Sequence, residues 1–327
     1  MPRRLSLSRI RLVSGWSAAA VLVLELLFFA ILLAPADGGR HSFANFDNLA
    51  LILKYSSIFG IGAIGAALVI GTGGIDLSPG SVIALASVVT GHLFVNAGWS
   101  LSVASTAGVG VGLISGAIAS GLIVVARLPP FIATLGMMGI TRGIAFLITE
   151  GRFYDLSSRI PAGTTPFGIP LPAWPGVLMV VLAVLFEVIL RRTALGRHLL
   201  AVGGNELAAR YAGVQVDRVK VFVYVVSGTL AALAGVVLGA VQGQGKADMA
   251  TGYELDIIAS AVIGGASLSG GRASVAGAVI GSLIFGVLRN ALAQIPGGTF
   301  ADRLILGIAV LVIVVMDRMA TGRGQES

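Results

Sequence analysis

The 327-residue chain is 56% hydrophobic, its mean hydropathy is +0.96 and only 11% of its residues are charged, against roughly 25% in a soluble domain. That balance excludes an ordinary soluble enzyme, and the lack of cysteine excludes disulfides, thiolate metal sites and a cysteine nucleophile. The net charge of +7 does not point to nucleic acid, because the basic residues gather at the N-terminus, in residues 191–220 and near the C-terminus, as positive-inside topology distributes them.

In chain order, Arg3, Arg4, Arg9 and Arg11 precede an apolar run from Trp16 to Pro35. Ala34-Pro35-Ala36 mimics a cleavage site, but the run exceeds the roughly 7–15-residue core of a signal peptide and contains Glu25, so an uncleaved first span is expected. Further spans are read near 49–71, 82–98, 101–125, 131–149, 174–190, 219–241, 252–268, 274–294 and 302–316. Lipid leaves no partner for free backbone groups, so each should be a helix. With a cytoplasmic N-terminus, six spans return the basic segment 191–220 to the cytoplasm, and four more place Arg318 and Arg323 there. The external loops 36–48 and 150–173 are nearly balanced in charge. The expected fold is an all-α polytopic membrane protein of about ten transmembrane helices with broken or re-entrant segments in each half; eight or nine spans with re-entrant pieces also fit.

Several motifs have plain structural readings. Gly108, Gly112, Gly116 and Ser120 form a small-residue ridge against which another helix can pack. The run Gly60–Gly65 spells a dinucleotide fingerprint but sits mid-span with no strand before it, and Gly245-Lys246 lacks the first Gly and the Ser/Thr of a phosphate loop. Neither is read as a nucleotide site. His41, His92 and His198 show no metal-ligand spacing, and no Ser/His/Asp set or paired carboxylates emerge. No catalytic residue, metal or cofactor is expected.

Two segments share the form GGxxLSxG: Gly73–Gly80, with Gly74, Asp76 and Ser78, and Gly264–Gly271. Such residues interrupt helices, which membrane-depth structure tolerates only inside protein or along a wet cavity. Paired interruptions in two halves point to a transport pathway between repeats, with chance likeness in so glycine-rich a chain as the alternative. Ionisable groups within or beside spans are Glu25, Lys54, Asp76, Arg142, Glu187, Glu254, Asp256 and Arg289. Asp76, Arg142, Glu254 and Asp256 adjoin the broken or glycine-rich segments and are the candidate pathway residues; helix capping or mutual pairing is the competing reading.

Residues 191–220 form the one long polar, basic stretch. Gly203-Gly204 should turn, Asn205 should cap a helix whose first turn holds Glu206, Leu207 to Arg210 favour helix, and Gly213 should end it. A helix of about two turns is marginal alone, so it is expected to dock against something: a partner, its own protein or the membrane surface.

Together these segments resemble the permease subunits of sugar-type ATP-binding-cassette importers, the ribose, xylose and galactose group. The resemblance rests on Thr72–Ser81, Phe131–Ala145, Thr193–Val214 and Glu254–Arg272, in order along nearly the whole chain. Pro79 stands where such permeases more often carry Val. The resemblance implies one transmembrane permease domain, 1–327, with cytoplasmic termini 1–15 and 317–327 and a cytoplasmic coupling loop 191–218, in the inner membrane of a bacterium. It implies a second permease copy or paralogue, an ABC ATPase dimer that hydrolyses ATP in place of this chain, and an extracytoplasmic sugar-binding protein. Residues 205–213 would be the coupling helix, containing Asn205, Glu206, Ala209 and Gly213, with Gly203-Gly204 as the turn before it and Gly196 and Arg197 shaping its approach. The translocation pathway would run past Gly74, Asp76, Ser78, Arg142, Glu254 and Asp256. Related permeases move branched-chain amino acids, nucleosides or a signalling furanose, and a secondary transporter remains a different class of answer. Trp99, Trp174 and Phe153 could meet a sugar near the outer mouth, or anchor the chain at the interface.

Overall fold

A computed structural model describes residues 7–33 (side chains from Ala18), 43–158, 174–295, 297–298, 304–305 and 307–308. Eleven α-helices and two short strands are described: α1 Leu7–Leu32, α2 Phe46–Gly71, α3 Pro79–Gly91 continuing as a π turn His92–Asn96, α4 Leu101–Val124, α5 Pro130–Thr149, β1 Phe153–Asp155, α6 Trp174–Arg192, α7 Ala194–Gly204, α8 Glu206–Tyr211, α9 Val216–Gln242, β2 Gln244–Lys246, α10 Tyr253–Ile263 and α11 Val275–Gln294. Among the described residues, seven stretches are long and apolar enough to cross a membrane: α2, α3 with its π turn, α4, α5, α6, α9 and α11. The apolar part of α1, Ala18–Leu32, is shorter. The span expected at 302–316 falls mostly outside the described residues, as do the outer parts of both expected external loops, the N-terminus and the C-terminus.

The span expected at 252–268 is corrected. Its helix, α10, has 11 residues, about 16 Å at 1.5 Å per residue against a hydrocarbon core of about 30 Å. Gly265, at φ 99°, stops it. The Gly265 amide reaches back to Val262 and that of Ala266 to the Ala261 carbonyl (3.0 Å), the pattern of a left-handed helix stop.

Two long helices, α2 and α9, form the centre, and their buried aliphatic residues supply much of the main core cluster. They approach closely enough that a Cβ on Gly65 would stand 2.9 Å from the Ser227 Cα. The chain then repeats one plan twice in opposite directions: α2, a non-helical stretch, α3, α4; and α9, a non-helical stretch, α10, α11. The units exchange partners, α3 and α4 packing on α9 while α10 and α11 pack on α2. The ridge on α4 seats α9, with Gly112 against the Gly228 backbone and Gly116 against the backbone of Tyr224 and Val225. Gly60, Gly62 and Gly65 serve packing too, against Met179, Ile257 and Ser227. One face of the bundle carries the end of α2, the start of α9, and α7 and α8; the other carries the antiparallel pair β1–β2, with Tyr154 opposite Gly245. These are called the loop face and the sheet face.

Candidate functional site

Four of the expected pathway residues, Asp76, Ser78, Arg142 and Glu254, lie at mid-depth, where α3 and α10 begin. Gly73 (φ 79°) ends α2, the Gly74 amide closes back on the Val69 carbonyl (3.2 Å), and residues 74–78 climb into the bundle without helix. Asp76 is buried. One carboxylate oxygen accepts from the Ser78 amide (2.9 Å) and hydroxyl (2.7 Å), the other from the Ser227 hydroxyl (2.8 Å). A carboxylate beside a helix N-terminus is favoured there by the exposed amides and the helix dipole, and Pro79 suits the first helical position. One turn on, the Thr141 hydroxyl of α5 donates to the Ser81 hydroxyl (2.7 Å), which donates to the Ser78 carbonyl (2.8 Å).

The second approach comes from the sheet face. After β2, residues 247–252 turn back into the bundle, and Arg142 clasps them by donating to the carbonyls of Ala247 (2.5 Å) and Met249 (2.7 Å). The carboxylates of Glu254 and Asp248 lie within electrostatic reach of its charge. Helix α10 then starts beside α3: a Cβ on Gly80 would lie 2.7 Å from the Ala250 carbonyl and 3.4 Å from the Glu254 carboxyl carbon. On its first turn Asp256 pairs with Arg289 of α11 at 2.7 Å, and the Arg289 guanidinium lies over the rings of Phe59 (4.8 Å) and Tyr253 (5.7 Å). Two helix N-termini thus face a common polar zone and run to opposite faces.

Asp76, Ser78, Arg142 and Glu254 border that zone, Asp256 stands beside it, and Gly74 lies below, against the Tyr224 hydroxyl. Hydrogen bonds from Ser78 and Ser227 account for Asp76, and pairing with Arg289 for Asp256. Ser81, Thr141 and Ser227 were missed; hydroxyls at these positions in apolar spans were the available signal. Glu187 is a helix cap, accepting from the Val275 amide (2.8 Å) at the start of α11. Trp174 is buried, Trp99 lines a shallow pocket with Ser102 and Thr106, and Phe153 is exposed on β1.

On the loop face, the helix expected over 205–213 occupies Glu206–Tyr211. Gly203 and Gly204 close a longer helix, α7, instead of forming a free turn. Thr193 caps α7 through the Gly196 amide (3.3 Å), with Gly196 tight against the Leu190 backbone and Arg197 exposed. The Asn205 side chain caps α8 through the Ala208 amide (2.9 Å), and Gly213 (φ 83°) follows its end. Glu206 pairs with Lys220 (2.7 Å) and Arg210 with Asp217 (3.0 Å), tying α8 to α9; the Asp217 carboxylate raises the Arg210 pKa further. Ala209 points inward and is 5% exposed, whereas Leu207 and Tyr211 are 68% and 91% exposed. These two, one turn apart, are the large outward apolar residues of α8, which the helical pattern alone did not single out. A cleft beside them is lined by Arg127, Pro129, Pro130, Glu206, Arg210 and Lys220.

Broken helices meeting inside a membrane bundle, with a short helix projecting from one face, define a permease. Residues 48–316 match the family model described as the permease component of branched-chain amino acid transport systems, and the chain belongs to that family of transport subunits, which are not themselves enzymes. It is 35% identical over 304 residues to the ribose import permease protein RbsC of Escherichia coli (strain K12), covering 90% of this chain and 92% of that protein. It is 38% identical over 278 residues to RbsC of Bacillus subtilis (strain 168), covering 83% and 84%. The L-arabinose transport system permease protein AraH of Escherichia coli (strain K12) is 35% identical over 296 residues, covering 90% and 89%. No solved structure matches significantly. The resemblance read from the motifs therefore holds along nearly the whole chain.

Proposed function

We propose that this chain is the membrane-spanning subunit of an ATP-binding-cassette importer and forms the pathway for a monosaccharide. The observation that carries this reading is the likeness, over about nine-tenths of the chain, to ribose and L-arabinose permeases. The mid-depth zone favours a neutral sugar over a zwitterion: its hydroxyls are many, while the Arg142 head group is held by carbonyls and Asp256 by Arg289. Residues 1–327 act as one permease domain with the loop face inside the cell, so that 1–15, 191–218 and 317–327 are cytoplasmic. An ATPase dimer seats α8 through Leu207 and Tyr211, a sugar-binding protein delivers substrate at the sheet face, and a second copy or paralogue completes the pathway. Gly196, Arg197, Gly203, Gly204, Asn205, Glu206, Ala209 and Gly213 hold α8 in place for the ATPase. Substrate passes Gly74, Asp76, Ser78, Arg142, Glu254 and Asp256 as α3 and α10 shift.

Co-purification from native membranes tests the reading, comparing the native chain with Leu207→Glu/Tyr211→Glu. An ATPase subunit should accompany the native chain and be lost from the variant. Proteoliposomes holding the intact complex should take up labelled pentose only with ATP and binding protein. A chain that purifies alone and moves solute down an ion gradient would replace the importer with a secondary transporter.

A further inference from the structure

Three glycine pairs far apart in sequence meet on the loop face. The Gly271 amide donates to the Gly71 carbonyl at 3.1 Å. Gly203 fills the gap beside them, where a Cβ would collide with the Gly71 carbonyl and stand 2.5 Å from the Gly271 nitrogen. A Cβ on Gly270 would lie 2.5 Å from the Gly203 carbonyl and 2.9 Å from the Gly73 Cα. Backbone rests on backbone, so no side-chain rotamer is available to absorb a displacement.

Each partner of Gly203 leads to one of the two helices that start at mid-depth. From Gly71 and Gly73 the chain climbs through 74–78 to Asp76 and the start of α3. From Gly270 and Gly271 it runs back through 264–269 to the end of α10 and forward to Ser274, which caps α11 through the Gly277 amide (3.0 Å). Asn205 alone separates Gly203-Gly204 from α8.

We propose that Gly203 is the positioning residue through which a displacement of α8 reaches both interrupted segments at once, moving α3 and α10 together. The inference rests on the importer reading above and adds to it the route of coupling. It also assigns the adjacent glycines different roles: Gly203 is enclosed, whereas a Cβ on Gly204 meets nothing within 4 Å.

That contrast supplies the test, made on the complete importer in proteoliposomes. Gly203→Ala and Gly204→Ala should both retain the ATPase subunits. Gly203→Ala should lose the stimulation of ATP hydrolysis by sugar-loaded binding protein and lose uptake by roughly tenfold or more, since overpacking of a tight contact reaches that size, whereas the loss in Gly204→Ala, whose added methyl meets open space, should be several-fold smaller. Native ATP-driven uptake in Gly203→Ala would overturn the junction while leaving the importer reading intact; a native complex without ATP-driven uptake would overturn that reading and the junction with it. If Gly203→Ala does not assemble, the chain's lack of cysteine allows Gly204→Cys to carry a bimane label. An emission change on trapping the ATPase with vanadate supports the junction, and unchanged emission through the cycle overturns it.

Discussion

Gly73–Gly80 and Gly264–Gly271 are spelled almost alike and have different jobs. Both stop a helix with a left-handed glycine, Gly73 after α2 and Gly265 after α10. Both then bring a side chain against the serine two residues on: Asp76 with Ser78 at 2.7 Å, Ser267 with Ser269 at 2.9 Å. They part at the next residue. Pro79 suits a helix start, and α3 begins there, deep in the bundle. Gly270 and Gly271 stand in the place of Pro79 and Gly80, with φ 81° and 74°, and no helix resumes until Val275. In the inverted plan the counterpart of 72–78 is the stretch before α10, residues 243–252, whose sequence shares almost nothing with it. Likeness of spelling reported a shared helix stop and a shared side-chain contact, not a shared place in the fold.

The largest expected effect tests whether the first motif alone bears on the polar zone. Asp76→Leu removes the acceptor of three donors, two of them side-chain hydroxyls in a buried site. Each buried unsatisfied group costs about 1–3 kcal/mol. Thermal stability in detergent should fall clearly, and uptake should be lost even where the protein is recovered. Ser267→Ala, the matching position of the second motif, should leave both near native. Equal losses would mean that the two segments are equivalent after all.

A smaller effect separates the residues where the motifs part. Gly270→Ala places a Cβ on a left-handed residue, at about 1–2 kcal/mol before its contact with the Gly203 carbonyl is counted. Pro79→Ala leaves an acceptable first helical residue and forfeits only the stiffness proline gives the unfolded chain, about 0.4–1 kcal/mol. The melting shift should therefore be larger for glycine than for proline. The reverse order would mean that the start of α3, and not the glycine junction, holds this region together.

What the sequence disclosed follows the range of the interaction that encodes it. Long apolar runs announce spans because the gain from leaving water adds residue by residue, whatever each then packs against, and the order of helices was legible for that reason. The cap at Asn205 and the stop at Gly213 were legible because their hydrogen bonds are local. The length of α10 was not, because Ile257–Leu268 carries no charge and the dip of 247–252, clasped by Arg142 from α5, sets how deep the helix begins. Asp76 and Arg142 stood out by their cost in lipid, whereas Ser227 and Thr141 cost little and gain meaning from partners 151 and 60 residues away. Ala209 and Leu207 both favour helix; which one faces outward depends on how Glu206 and Arg210 pin α8 to α9.

The finest comparison is between the paired serines, Ser78 and Ser269. The Ser78 hydroxyl donates to a buried carboxylate at mid-depth, so Ser78→Ala takes one hydrogen bond from a charge-bearing group that the bilayer cannot compensate, a loss of about 1.5–3 kcal/mol. Ser269 meets another hydroxyl, that of Ser267, at a more accessible turn. Ser267 is itself buried, so Ser269→Ala forfeits one neutral hydrogen bond, about 0.5–1.5 kcal/mol, and should cost less than Ser78→Ala. Denaturation of the two variants side by side, with uptake measured on the same preparations, reads the difference directly. A Ser78→Ala protein as stable as Ser269→Ala would mean that Asp76 is held by Ser227 and the Ser78 amide alone. The hydroxyl would then be free to serve a passing sugar, and its loss would appear as weaker substrate dependence of uptake at unchanged melting temperature.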